Sequence, residues 1–288
     1  RTSMSTLAAT PVKPRIIRRG SDLWTPKIVQ QASSPRISSP GAPYGALAEQ
    51  TVVAESSDVP VPDGIDPAVA VALPLAVTGF AIKSAAGFTA GETVLIQGAT
   101  GVAGRLAVRV ARLLGAGRIV GTGRDDDALG QLRGLGADTV INTAVPDEAL
   151  IGAFRDAKGE GYDVVLDFLW GRPTELLLRA LVPKELTMAK PTRLIQVGES
   201  AGPTLTLAAE SLRTSGVELY GVTKGLDATT MMQAYQQAVQ WAQDGALTFD
   251  LERVPLSQIQ TAWQRSDLRG RRLVVMPDGV FTQPHRTG

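Results

Sequence analysis

The stretch from Glu92 to Arg124 constrains the fold more than any other. A short apolar run, Val94-Leu95-Ile96, leads into Gly98-Ala-Thr-Gly101-Val-Ala-Gly104. Ala103, Leu106, Ala107, Val110, Ala111 and Leu114 then recur at three- and four-residue steps, with Arg105, Arg109 and Arg112 between them. That spacing is one apolar face of a helix. Gly115 marks the helix end, and Arg118-Ile-Val-Gly-Thr122 reads as a second strand. The whole is a β-turn-α-β unit with a glycine-rich first turn, and the alternation continues downstream. Such alternation implies a parallel sheet covered by helices on both faces.

A turn of this kind brings backbone N–H groups and a helix N-terminus up to a pyrophosphate, and a side chain at the tight glycines blocks that approach. Glycine spacing alone is a weak signal. Its place between a strand and a helix gives it meaning, and it makes Gly98, Thr100, Gly101, Val102 and Gly104 the candidate cradle. The end of the second strand bears on which dinucleotide fits. An NAD site places Asp or Glu there to accept from the ribose 2′-hydroxyl. Here the strand closes on Thr122-Gly123-Arg124, with no acid. A planar guanidinium suits a 2′-phosphate, so NADPH is the expected cofactor, with Thr122, Gly123 and Arg124 at its ribose. Asp125, Asp126 and Asp127 read as the N-terminus of the next helix, where carboxylates are favoured. The bland alternative pairs Arg124 with one of them.

The run from Gly91 to Gly104, continuing to Leu135-Gly-Ala-Asp138, resembles the medium-chain dehydrogenase/reductase superfamily, and within it the zinc-independent quinone oxidoreductase branch. Further stretches agree. Ser57 to Pro67, with Leu73-Pro-Leu-Ala-Val-Thr78, resembles the segment that enters the cofactor domain. Tyr162 to Asp167 resembles the fourth strand, Arg193 to Gly198 the fifth, and Leu268 to Met276 the closing helix-to-strand segment. The likeness runs from Gly45 to Pro277. It implies an α/β fold, a doubly wound parallel sheet of the Rossmann kind, with a second, GroES-like β-rich domain. The expected division is a partial GroES-like substrate domain over 1–74, a dinucleotide-binding domain over 75–222, and a return to the substrate domain over 223–288. The chain before Gly45 is rich in Pro, Ser and Arg and shorter than the family's corresponding segment. The second domain is therefore expected to be truncated or incomplete.

Strands are expected at 93–97, 118–122, 139–141, 163–167, 193–197 and 217–222. Asp66-Pro67 reads as a helix start, with an acid at the cap and proline in the first turn. Asp227 reads as the cap of a helix reaching Gln243, with Met231, Met232, Tyr235, Ala238, Val239 and Ala242 on a core-facing stripe.

The chain has no cysteine, and its single histidine is His285, between Pro284 and Arg286. The family's Cys/His zinc site cannot be built from it, nor can a Ser-His-Asp triad with an internal histidine. No metal ligand is expected. A formal net charge of +1 gives no broad attraction to nucleic acid or anionic membrane. The longest apolar stretch, Ala68 to Ile82, contains Pro74, is shorter than a membrane span and reads as two buried elements. With no signal-peptide pattern at the start, the expectation is a cytoplasmic enzyme acting on a small molecule, with a homodimer as the candidate assembly.

The resemblance implies a zinc-free, NADPH-dependent reductase of quinones, enones or related carbonyls. Hydride transfer is the cofactor's chemistry, and the protein positions and polarises. Charge growing on the acceptor oxygen calls for donors. Tyr44, just before the crossover between domains, and Lys224, beyond the sixth strand at the carboxyl edge, are the candidate catalytic residues. The resemblance places a cofactor-facing threonine at Thr78, and adds Asp167, Val197 and Gly198 to the cofactor set. Two alternatives stay open, since a fold does not fix a function. One is a non-reducing biosynthetic enzyme, such as a cyclase, lyase or isomerase, on the same scaffold. The other is a nucleotide-binding module without catalysis.

Overall fold

A computed structural model describes residues 36–38, 58–184 and 190–278. Tyr44 and His285 lie outside the described residues. Strands β1 (Arg36–Ser38) and β2 (Asp58–Pro60) precede helix α1 (Pro67–Val77), which passes through a 3₁₀ turn at Thr78–Phe80 into α2 (Ala81–Ser84). An alternating series follows: β3 (Thr93–Gln97), α3 (Val102–Leu113), β4 (Arg118–Gly123), α4 (Asp126–Leu135), β5 (Thr139–Asn142), α5 (Asp147–Lys158), β6 (Val164–Asp167), α6 (Gly171–Leu181), β7 (Thr192–Gln196), α7 (Ala209–Thr214) and β8 (Val217–Gly221). Helix α8 (Ala228–Gln243), β9 (Leu251–Pro255), α9 (Ile259–Trp263) and β10 (Arg272–Met276) complete the described chain.

Strands β3 to β8 form one sheet in the order β5-β4-β3-β6-β7-β8, with every neighbouring pair parallel. The chain winds outward from β3 to β5, then crosses back and winds outward from β6 to β8. The order reverses between β3 and β6, the switch point at which doubly wound sheets bind ligands. This is the Rossmann arrangement, and its strands begin and end within a residue of the spans read from the sequence.

The sheet forms because its central strands are apolar on both faces. Val94, Leu95, Ile96, Val164, Val165 and Leu166 are all fully buried, as a sheet covered on both sides requires. Val94 and Ile96 join Val164, Leu166 and Ile195 in a core with α2, α3 and α4. Leu95 points the other way, into a core with Phe154 and Leu150 of α5 and Leu177 and Leu178 of α6. Each such side chain contributes about 1.5–3 kcal/mol. The acids read as caps do cap. Oδ1 of Asp125 accepts from the Ala128 N–H at 2.8 Å, that of Asp227 from Thr230 at 2.7 Å, and that of Asp66 from Ala68 at 2.7 Å. A cap of this kind is worth about 1 kcal/mol.

The chain divides into two compact units, Arg1–Leu73 with Phe249–Gly288, and Pro74–Thr248. In the first, β1 pairs antiparallel with β2, and β9 pairs parallel with β10. Val274 and Met276 pack on Ala68 and Val71 of α1, and Glu252 accepts from both Arg265 and Arg271. In the second, α8 stays with the sheet, so the unit runs on past 222 to Thr248. The Phe80 and Trp241 rings stack with centroids 5.3 Å apart. The backbone at Gly225 lies so close to Ser84 that a Cβ there would stand 2.5 Å from its carbonyl oxygen. The stripe on α8 is corrected. Ala234, Ala238 and Val239 are buried, while Met231 and Met232 are 48% and 47% exposed. Small residues make the contact face, which brings this helix close to its neighbours and turns the long methionines outward. The helical run Pro67–Ser84 is apolar enough to cross a membrane by composition, with mean hydropathy 1.5, but 56% of it is buried inside the fold.

Candidate functional site

The chain leaves β3 at Gly98 with φ +76°, a conformation that favours glycine. The Gly98 N–H donates to the Thr122 hydroxyl oxygen at 3.0 Å and the Ala99 N–H to the Thr122 carbonyl at 2.8 Å. Thr122 is fully buried, so it acts by tying the glycine turn to the end of β4. Three more glycines are demanded by the protein itself. A Cβ at Gly104 would stand 2.7 Å from the Ala99 Cα, one at Gly123 2.9 Å from the Thr100 hydroxyl oxygen, and one at Gly198 2.8 Å from the Phe168 carbonyl oxygen. Gly101 is different. Its backbone is extended, with φ −75° and ψ 168°, and a Cβ there would meet only the Gly98 oxygen, at an ordinary 3.5 Å. Neither strain nor crowding within the described protein asks for glycine at 101. A ligand descending onto the backbone would.

Helix α3 begins immediately beyond, at Val102. It has no side-chain cap and no acid in its first turn. The Gly101 N–H turns back to the Gly98 carbonyl at 3.1 Å, whereas the N–H groups of Val102, Ala103 and Gly104 donate to no described residue. Free donors at the positive end of a 12-residue helix have the chemistry that suits an anion. Arg124 stands exposed at the end of β4 and forms no hydrogen bond or ion pair with a described residue. The pairing with a neighbouring aspartate is not formed: Asp125 caps α4, and Asp126 accepts from the Asn142 amide at 2.7 Å.

Across the switch point, Asp167 is fully buried. Its Oδ1 accepts from the N–H groups of Leu169 at 2.8 Å and Trp170 at 3.1 Å, and its Oδ2 from the Thr174 hydroxyl at 2.6 Å. Thr174 in turn accepts from the Gln97 amide at 3.1 Å, and Gln97 Oε1 has no partner among the described residues. Burial pushes the Asp167 carboxyl above its ordinary value, against the pull of these bonds. The Asp167 carbonyl accepts from Val197 at 2.8 Å and Gly198 at 3.1 Å. Asp167 therefore shapes the crevice by holding the loop after β6, its side chain turned into the protein. In that loop Trp170 takes φ +56° and ψ −165°, a glycine conformation that costs another residue about 1–3 kcal/mol. Sequence reasoning missed Gln97, Thr174 and Trp170. A polar residue ending a strand, a threonine in a helix and a tryptophan before a glycine carry no motif.

Thr78 is half-buried in the 3₁₀ turn and donates its hydroxyl hydrogen to the Leu75 carbonyl at 2.7 Å. The same turn presses on α3, where a Cβ at Gly79 would stand 3.1 Å from that of Val110. Lys224 is exposed beyond β8, with its Nζ 3.0 Å from the centre of the Tyr220 ring. With β6 and β7 between β8 and β3, it stands roughly 14 Å across the sheet from the glycine turn. The structure thus gathers residues 98–104, 122–124, 167, 197 and 198 at one edge and leaves Lys224 at the flank. Among the described residues no group of three or more His, Cys, Asp or Glu comes together as a metal site would need.

The zinc-binding dehydrogenase family matches residues 103–244, from the first turn of α3 to the end of α8. The match takes in just under half of the chain, whose likeness is to the medium-chain dehydrogenase/reductase superfamily and, within it, to the quinone-oxidoreductase-like branch. The chain is 25% identical over 203 residues to the probable NADPH-dependent quinone reductase tdiC of Emericella nidulans, covering 65% of this chain and 54% of that protein. It is 31% identical over 148 residues to the 2-methylene-furan-3-one reductase of Solanum lycopersicum, covering 49% of this chain and 37% of the relative. The chain therefore spans about half or less of the length of these relatives. Among solved structures, AibC superposes with a TM-score of 0.67 at 24% identity, covering 81% of this chain and 63% of that one. A quinone oxidoreductase of Pseudomonas syringae pv. Tomato DC3000 gives 0.66 at 20% identity, covering 85% and 75%. These two establish the superfamily's fold for this chain.

Proposed function

We propose that the chain is a zinc-free, NADPH-dependent oxidoreductase that delivers hydride to a quinone, enone or related carbonyl. One observation carries the reading: Gly101, at the mouth of the switch point, is a glycine the described protein does not need, placed against a helix N-terminus with free N–H donors. The residues present fit a dinucleotide. Gly98 and Gly104 let the turn close, and the Val102, Ala103 and Gly104 N–H groups would take the pyrophosphate. Arg124, paired with no acid among the described residues, would take the 2′-phosphate. Thr78 has given its hydrogen to Leu75, so it can offer a ligand only an acceptor. Val197 and Gly198 line the same edge through their backbone. Bound NADPH would supply the hydride.

The chain's own part in the reaction is to steady the oxygen that gains charge. Tyr44 and Lys224 are the proposed donors. The Lys224 ammonium rests on the Tyr220 ring, and at an exposed site that contact is worth only about 0.5–1 kcal/mol, so leaving it for a substrate oxygen costs little. Zinc plays no part in the proposal, because the chain has no cysteine and its sole histidine is His285. The compact unit Arg1–Leu73 with Phe249–Gly288 is assigned to the substrate side, and the enzyme to the cytoplasm. The likeness to tdiC, a probable NADPH-dependent quinone reductase, points the same way. The test has two arms. NADPH should bind in a calorimetric titration, and NADPH oxidation should appear with some member of a panel of quinones and enones and survive dialysis against a strong chelator. Absence of dinucleotide binding overturns the reading; binding without turnover on any acceptor leaves a nucleotide module.

A further inference from the structure

We infer that Trp170 is a positioning residue for the dinucleotide, its indole forming a wall against which one planar ring of the ligand packs. The inference rests on the dinucleotide reading of this crevice. Trp170 follows β6 at the switch point and holds φ +56° and ψ −165°, and Gly171 after it holds φ +58°. A tryptophan persists in such a conformation only where its surroundings over-determine it, and here they do. The Leu169 and Trp170 N–H groups are both bound by the buried Asp167 carboxylate. The Leu169 carbonyl accepts from Ala201 at 2.8 Å, and the Phe168 carbonyl from the Ser200 hydroxyl at 3.0 Å. Gly171 lies so near the next loop that a Cβ on it would stand 3.1 Å from the Ala201 oxygen. Glycine at 170 would relieve the strain without disturbing any of these bonds, since each uses backbone or another side chain.

Packing alone is a poor reason to keep the indole. It is half-buried, lying partly on the α5–α6 core, and belongs to the loop that leaves the carboxyl end of β6. The residue before it, Leu169, leans on the glycine turn, where a Cβ at Gly98 would stand 2.9 Å from its Cδ2. Trp170 is therefore one residue away from the turn that Gly101 keeps clear. A flat, partly exposed aromatic held under strain beside a phosphate cradle matches what the adenine or the nicotinamide of a dinucleotide would pack against.

The experiment compares Trp170→Gly, Trp170→Ala and Trp170→Phe with the wild type. Thermal melts read the strain. Trp170→Gly should melt about 3 °C above Trp170→Ala, the reverse of the order at an ordinary position. Titrations read the wall. Trp170→Gly should weaken NADPH about tenfold, and Trp170→Phe by less. Adenosine 2′,5′-bisphosphate and reduced nicotinamide mononucleotide, titrated separately, identify the ring: one half-ligand should lose affinity and the other should not. Unchanged NADPH affinity in Trp170→Gly, or equal losses for both half-ligands, overturns the inference. If the wild type binds no dinucleotide, the reading beneath it falls as well, so the two failures are told apart.

Discussion

The glycine turn after β3 and the loop beyond β8 both lie at the carboxyl edge of one sheet, and they are built on opposite principles. At the turn, the proposed site is written in backbone. Gly98, Gly104 and Thr122 lock the chain in place, and what faces outward is a bare Gly101 and a row of N–H groups. Beyond β8, the candidate group is a single exposed lysine lying on Tyr220, with nothing buried to fix it. A site made of backbone is rigid and tolerates almost no substitution. A site made of a surface side chain costs the fold nothing and can be lost or gained by one exchange.

The comparison breaks most sharply at Gly104. Its Cβ would stand 2.7 Å from the Ala99 Cα, and backbone cannot step aside as a side chain can. Gly104→Val should lower stability by about 3 kcal/mol, the upper end for overpacking, seen as a fall in the urea midpoint. A variant that folds as well as the wild type would mean the turn is loose. Next comes Lys224→Met, which tests the other principle. Stability should change by no more than about 1 kcal/mol, the cation–π contact. The turnover number should fall by about 10², the loss for removing one donor to a developing oxyanion. An unchanged turnover number would remove Lys224 from the reaction.

Arg124→Ala should weaken NADPH by about 1.5–3 kcal/mol, the range for a charge-assisted bond, and leave NADH nearly unaffected by titration calorimetry. Equal losses for both would take the guanidinium off the 2′-phosphate. Gly101→Val should weaken NADPH at least tenfold, about 1.4 kcal/mol, with stability held within about 0.5 kcal/mol. Set beside Gly104→Val, it separates a glycine kept for a ligand from one kept for the fold. If Gly101→Val binds NADPH normally, the turn is not a phosphate cradle.

The sheet was legible because its strands are short apolar runs between glycines and acids that start helices, and each such signal has one physical use. Val94-Leu95-Ile96, the caps at Asp66, Asp125 and Asp227, and the Gly115 stop all fall as read. The glycine turn was legible as a motif but not in its division of labour. Gly98, Gly101 and Gly104 look alike in sequence, and only the position of each absent Cβ shows that two serve the protein. The Trp170 strain was invisible, because φ depends on what pins Asp167, Ser200 and Ala201 around it. The α8 stripe misled because methionine and alanine both read as apolar, while only alanine is small enough for the close face. The extent of the sheet unit to Thr248 rests on the Phe80–Trp241 stack and the Gly225 approach, contacts with no local pattern.

The smallest effect separates the floor of the crevice from its rim and reads as a slope. The Asp167 carboxyl is raised by burial, so the fold holds its proton more tightly than the unfolded chain does. In the window above the ordinary carboxylate value, about 3.9, the native state binds more protons than the unfolded one. Stability from this group should therefore be greatest at low pH and fall as pH rises through the raised value, then level off. Asp227, exposed at the start of α8, runs the other way. The Thr230 N–H holds it below its ordinary value, so its contribution is present at neutral pH and lost in acid. Asp167→Asn removes the titration while keeping an oxygen for Leu169 and Trp170. Its amide would donate to the Thr174 hydroxyl oxygen, which keeps the pair bonded. Urea midpoints between pH 4 and pH 8 should show Asp167→Asn gaining on the wild type as pH rises. A difference that shrinks with pH would mean the carboxylate is paid for by bonds stronger than its burial, and that the loop after β6 is held by charge and not in spite of it.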